Sequence, residues 1–161
     1  MPPAALTTLP PGAERALADA ARAWPAVEVL MLFGSAAAGR LGPESDVDLY
    51  VRLAPGTPAD RDAERGFIAA AERACGREID LVVETPSTSV ILRRQIASHG
   101  RELFERTPGA GRQLRVDGAH AYMDLLPQLE LIGAAIRARA VSDGAAALER
   151  MRRRGGGREP A

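Results

Sequence analysis

The eight residues DVDLYVRL, Asp46 to Leu53, constrain the fold most. They alternate with a period of two, so Asp46, Asp48 and Tyr50 take one face of a strand and Val47, Leu49 and Val51 the other. Such a strand buries one side and aims two carboxylates the same way off the other. A second extended run, VEVLMLF from Val27 to Phe33, is β-branched and nearly continuously apolar, as suits a strand covered on both faces. Gly34 ends that strand. A short helical turn is expected over Ser35 to Ala38, and Gly39, Gly42 and Pro43 then make a loop. A third run, REIDLVVE from Arg77 to Glu84, alternates again, with Glu78, Asp80 and Val82 on one face.

Helices occupy the gaps. The alanine-rich stretch from Gly12 to Trp24 has strong helix propensity and stops before Pro25. Thr57-Pro58-Ala59-Asp60 reads as a helix start with Thr57 as cap, and Ala63, Phe67, Ala70 and Ala74 mark the buried face of a helix that Gly76 closes. Another helix is expected from Val90 to His99, stopping at Gly100, with a short strand at Glu102 to Phe104. Gly109 to Gly118 reads as a connector. Tyr122, Leu125, Leu126, Leu129, Ile132 and Ile136 repeat at helical spacing, and Pro127 either kinks that helix or starts its second part. The stripe serves equally well as core or as a partner-binding face. The whole is an α/β (α+β) chain with a small sheet and helices packed beside it. Residues 1–11 are expected as a loose proline-rich arm and 12–106 as the domain proper. Residues 107–149 are expected as connector and C-terminal helical segment, and 150–161 as a disordered Arg/Gly tail.

Composition excludes several classes. Twenty-one basic residues balance 21 acidic ones, and every basic residue is arginine. Zero net charge argues against direct nucleic-acid binding as the main task. The absence of lysine rules out a P-loop, which needs its GK[ST]. Cys75 is the only cysteine, so neither a disulfide framework nor a multi-cysteine zinc site exists; it reads as a small helix residue. His99 and His120 have no second histidine at ligand spacing and read as structural. The opening MPPAALTTLPPG has no signal-peptide pattern, no apolar run spans a bilayer, and a cytoplasmic location is expected.

The chemistry lies in one spacing: Gly34-Ser35, ten residues, then Asp46-Val47-Asp48. A D-x-D pair alone is more often a solvated strand face than a metal site. Here a Gly-Ser turn precedes it, where backbone approaches phosphates closely and a short helix offers free N–H groups. Asp80 stands on the strand after the next helix and supplies a third carboxylate. Nucleotidyl transfer asks for this set, because it needs charge neutralised at the phosphates and an attacking group held in line. Two Mg²⁺ ions on carboxylate oxygens supply both.

The same residues resemble the signature of the DNA polymerase β-type nucleotidyltransferase superfamily, and the chain's length is similar to its minimal nucleotidyltransferases. IDLVVETPSTSVILRRQIASHGRELFE, from Ile79 to Glu105, and the helix beginning AYMDLLPQLE resemble the antitoxin branch, whose members pair with a HEPN-domain RNase toxin. The resemblance implies a small mixed sheet of the polymerase β-like fold with flanking helices and a kinked C-terminal helix. It implies metal binding by Asp46 and Asp48, with Asp80 as third carboxylate orienting and deprotonating the acceptor hydroxyl. Gly34 and Ser35 would hold the β- and γ-phosphates of ATP. It further implies transfer of AMP to a tyrosine of the HEPN partner, which silences the RNase. Many relatives carry arginine or lysine where this chain has Ala38; Arg40, two positions on, is the available substitute. Two other functions are compatible with the residues. One is an antitoxin that acts by binding alone; the other is AMP transfer to a small hydroxylated molecule such as an aminoglycoside.

Overall fold

The computed structural model describes residues 8–58 and 60–155, with side chains through residue 143. The elements run α1 (Ala13–Ala23), β1 (Val27–Leu32), α2 (Gly34–Ala37), β2 (Val47–Leu53), α3 (Arg61–Cys75), β3 (Ile79–Val83), α4 (Val90–His99), β4 (Arg101–Glu105) and α5 (Ala110–Gly155). The four strands form one mixed sheet in the order β3-β2-β1-β4. β1 pairs antiparallel with both β2 and β4, while β2 and β3, joined through α3, are parallel. The expected α/β (α+β) class with a small mixed sheet is therefore the observed one. The chain divides into two compact units, one ending at Tyr122 and one starting at Met123.

β1 sits inside the sheet, and its apolar run is shared between two cores. Val27, Leu30 and Leu32 join the cluster that packs under α1 and α3, with Leu17, Trp24, Phe67 and Ala71. Val29, Met31 and Phe33 join a second cluster on the opposite face with Tyr50, Ile96 of α4 and Leu114 of α5. Val27 and Val29 would share a face in a regular strand. They part because the pairing steps from Val27↔Leu53 to Val29↔Arg52, which leaves Glu28 as an extra, bulged residue. A second register shift, between Leu30↔Phe104 and Met31↔Glu102, leaves Leu103 without a partner on β1. Leu103 and Phe104 both pack against the first cluster.

The helices follow the same logic. In α1, Ala13, Leu17 and Ala21 are buried at i, i+4 spacing. α3 buries Phe67, Ala71 and Cys75 at that spacing, so the inward face is turned slightly from the expected Ala63-Phe67-Ala70-Ala74 line. Its cap also differs from the expectation of Thr57: the Asp60 carboxylate accepts from the N–H groups of Asp62 and Ala63, both at 3.0 Å. A side chain two or three residues before the amides it caps is the arrangement that satisfies them, and Thr57 stands too far upstream. Ala59 lies outside the described residues. Burial pushes the Cys75 thiol pKa up, which fits a small core residue and not a reactive one.

The stretch 109–118, expected as a connector, is helical from Ala110. Gly111 and Gly118 are there for close approach. A Cβ on Gly118 would meet the Arg93 carbonyl oxygen at 2.7 Å and the Ala97 Cβ at 3.0 Å, so α4 and α5 touch backbone to backbone. The Glu105 carboxylate accepts from the N–H groups of Gly109 and Gly111, each at 3.1 Å, and these bonds hold its pKa below the usual range. α5 carries Pro127 without a break in the element. In the second unit Leu131, Ile132, Ile136 and Val141 are exposed. Of the expected disordered tail, residues 150–155 close α5 and 156–161 lie outside the described residues.

Arginine takes the structural tasks that lysine often shares. Arg106 Nε donates to the Val27 carbonyl at 2.8 Å, and its Nη2 donates to the carbonyls of Ala21, Arg22 and Trp24 at 3.0–3.4 Å, which closes the end of α1 onto β1. Arg115 does the same for α4, donating to the carbonyls of Ala97 and Gly100 at 2.9 and 2.8 Å. No helix among the described residues is long and apolar enough to cross a membrane.

Candidate active site

The site forms where β1 ends and where β2 and β3 begin. The β1–β2 pairing closes with the Phe33 N–H donating to the Asp48 carbonyl at 3.0 Å. The next residue, Gly34, has φ +64°, and a Cβ there would lie 2.0 Å from Asp48 Oδ2. The Asp48 carboxylate therefore lies over the bare α-carbon of Gly34, and any side chain at 34 would collide with it. Ser35 follows in α2, a four-residue helix whose first N–H groups have no partner inside the helix. The turn is tied off by the Arg40 N–H donating to the Ser35 carbonyl at 2.9 Å.

The parallel pairing of β2 and β3 supplies the second carboxylate. Asp48 and Asp80 are register partners, so they stand side by side on neighbouring strands, roughly 4.8 Å apart along the ladder direction. Asp46 precedes β2 by one residue and is exposed, as is Asp80, whereas Asp48 is half-buried. Burial is the largest cause that raises the Asp48 pKa above 3.8, followed by the charges of Asp80 and Asp46. Among the described residues no arginine or histidine forms an ion pair with any of the three.

Such a cluster of uncompensated carboxylates has the donor chemistry for a hard divalent cation. Among the described residues no three acidic, histidine or cysteine side chains close into a ready-made metal cage. Magnesium is ordinarily held by one or two carboxylates plus substrate phosphates and waters, so the oxygen donors present fit its usual mode of binding.

Of the residues singled out from sequence, Gly34, Ser35, Asp46, Asp48 and Asp80 lie in one region of the fold. Arg40 reaches it through its backbone, with its side chain exposed; Ala38 is the exposed C-cap of α2. His99 and His120 are exposed and lie on different elements. Arg77 is a residue that no sequence pattern marks. Its Nη1 donates to the carbonyls of Gly42, Pro43 and Ser45 at 2.8, 3.1 and 2.9 Å, inside the loop that delivers Asp46. Those contacts span 32 to 35 residues, beyond any local pattern.

A family model described as polymerase beta, nucleotidyltransferase matches residues 16–108. No curated protein matches the chain. Several solved structures share its fold. A crystal structure of a toxin–antitoxin with AMP-PNP aligns with TM-score 0.64 and 23% identity, over 76% of this chain and 97% of that one. A tri-AMPylated Shewanella oneidensis HEPN toxin in complex with MNT antitoxin aligns with TM-score 0.59 and 22% identity, over 77% and 95%. A toxin–antitoxin MntA-HepT structure gives 0.59 and 22%, over 77% and 96%.

Proposed function

We propose that this chain, which belongs to the polymerase beta nucleotidyltransferase family, transfers AMP from ATP to a hydroxyl group of a partner HEPN toxin and so neutralises it. The observation that carries this reading is the seat of Asp48, pressed on Gly34 and in register with Asp80. That single residue joins the turn suited to phosphates with the strand pair suited to an acceptor. The AMP-PNP complex and the tri-AMPylated toxin among proteins of the same fold support the choice of nucleotide, reaction and partner.

In the mechanism, the N–H groups of the Gly34-Ser35 turn hold the β- and γ-phosphates, and Arg40 adds positive charge at the rim. Asp46 and Asp48 would hold Mg²⁺, which when bound neutralises charge on the phosphates and lowers the barrier to attack at the α-phosphorus. Asp80 orients the acceptor hydroxyl, a tyrosine on the partner, and takes its proton on a carboxylate oxygen. The hydroxyl oxygen forms a bond to the α-phosphorus as the bond to the β-phosphate oxygen breaks. Pyrophosphate leaves, and AMP remains on the partner.

The test takes a HEPN protein encoded beside this one, if there is one, incubated with the chain, ATP and Mg²⁺ and followed by intact mass. Gains in whole AMP steps, absent with Asp46→Ala/Asp48→Ala, are the expected outcome. A second reading, inhibition by contact alone, draws on the exposed Leu131, Ile132, Ile136 and Val141 of α5. Equal inhibition by both versions with no mass gain would establish that reading and end the first.

A further inference from the structure

We propose that Arg77 is a positioning residue for Asp46: its guanidinium holds the Gly42–Ser45 loop in the one shape that presents the Asp46 carboxylate beside Asp48. The proposal rests on reading Asp46 as a metal-holding residue. Asp48 and Asp80 are fixed by the sheet, each inside a strand and paired in register. Asp46 is not. It stands outside β2, exposed, at the end of a loop hung between two buried side chains, Leu41 and Val47. Where its carboxylate goes depends on the shape of residues 42–45.

Two sets of hydrogen bonds among the described residues shape that loop. Within the loop, the Gly42 N–H donates to Ser45 Oγ at 3.0 Å and the Ser45 N–H to the Gly42 carbonyl at 3.3 Å, a tight turn of its own. From outside, Arg77 turns three carbonyls toward one nitrogen, so the loop wraps around its Nη1. A guanidinium suits this because its charge does not titrate away and its planar donors keep a fixed direction. Arg77 also lies two residues before β3, and the Val47 N–H donates to the Glu78 carbonyl at 3.0 Å. The clamp thus starts just ahead of the strand that carries Asp80, and ties the loose carboxylate to the frame of the two fixed ones. Residues that orient a ligand without touching the metal commonly change metal affinity by about 10- to 100-fold when removed.

The experiment measures Mn²⁺ binding by electron paramagnetic resonance on the full chain, in the presence of a non-hydrolysable ATP analogue. Arg77→Ala, Arg77→Gln, Arg77→Lys and Asp46→Ala are compared with the unaltered chain, alongside hydrogen exchange at the Ser45 and Val47 amides. Arg77→Ala is expected to weaken Mn²⁺ binding about tenfold and to speed exchange at Ser45 by a similar factor, with Arg77→Lys recovering part of both. Arg77→Gln keeps more of the stem and is read if the alanine variant does not fold. Unaltered Mn²⁺ affinity in the Arg77 variants, with binding lost in Asp46→Ala, would overturn the positioning role and leave the metal reading standing. Unaltered affinity in Asp46→Ala as well would overturn both.

Discussion

The two ends of the β2–β3 pair make opposite use of charge. At the start of the strands Asp46, Asp48 and Asp80 gather with no arginine or histidine among the described residues paired to them. At the far end Arg52 donates from Nε and Nη2 to the two Glu84 oxygens at 2.5 and 3.0 Å, and from Nη1 to Asp117 at 2.6 Å. Arg93 adds a longer contact to Glu84 at 3.6 Å and donates to the Thr85 carbonyl at 2.5 Å. Tyr50, almost fully buried, has its pKa pushed up by burial first and then by the Glu84 charge. One end is closed on itself and holds α5 to the sheet. The other gathers carboxylates that lack an ion-pair partner among the described residues, and such a cluster is suited to a cationic ligand.

That contrast is open to attack by mutation. The largest effect is expected from Asp48→Ala, which should lower AMP transfer by at least ~10³-fold while leaving the fold intact, since no cation loses its partner. Mass spectrometry of the partner beside a melting curve checks both halves. A transfer-competent Asp48→Ala protein would remove the acid end from the chemistry. Gly34→Ala comes next. It forces a β-carbon into the Asp48 carboxylate at a positive φ, so transfer should fall about 100-fold with about 1–3 kcal/mol of stability lost. Single-turnover rates and denaturant midpoints would show whether the two losses come together.

At the closed end the expected signature is reversed. Arg52→Ala leaves Glu84 and Asp117 without their shared partner in a half-buried place, so stability should fall by about 2–3 kcal/mol, or about 5–10 °C in Tm. Activity per folded molecule should hardly change. A selective loss of transfer at constant Tm would mean that the two ends are not separate in role.

The smallest effect sharpens the difference through pH. Asp48 has a folded-state pKa raised above 3.8, so the folded chain binds a proton that the unfolded chain has already released. Its contribution to stability is therefore greatest at low pH and is lost as pH rises through the folded value. Asp48→Asn removes this dependence. Without metal, its Tm should exceed that of the unaltered chain by about 2 °C at pH 7.5, with the gap shrinking toward pH 4. Thermal scans at the two pH values decide it, and a gap that widens on acidification would contradict the assigned cause.

What the sequence disclosed follows from range. The Gly34-Ser35 turn and the Asp46/Asp48 alternation are local patterns, so both were legible together with the strand that bears Asp80. The bulge at Glu28 was not, because an apolar run buried on both faces does not show where its register slips. Gly109, Gly111 and Gly118 carry the same letter for different reasons. Gly109 turns the chain at φ +90°, while a side chain on Gly111 or Gly118 would strike Glu102 or the α4 backbone. Only the neighbouring element tells these apart, and that is why a connector was expected where α5 begins. The clamps made by Arg77 and Arg106 join residues 32 to 85 positions apart and leave no periodic trace.

Because those clamps are guanidinium groups in a chain with no lysine, the protein offers no side-chain primary amine at all. Lysine acetylation and isopeptide tagging have no side chain here to modify. In a mixture with a lysine-bearing partner, an amine-directed label or cross-linker would mark that partner's side chains and leave this chain's unmarked. Reagents for guanidines would mark this chain, reaching the exposed arginines first and the carbonyl-bound ones only as the fold opens. Guanidine labelling at Arg77, Arg106 and Arg115 of this chain would thus report its opening within an assembled complex.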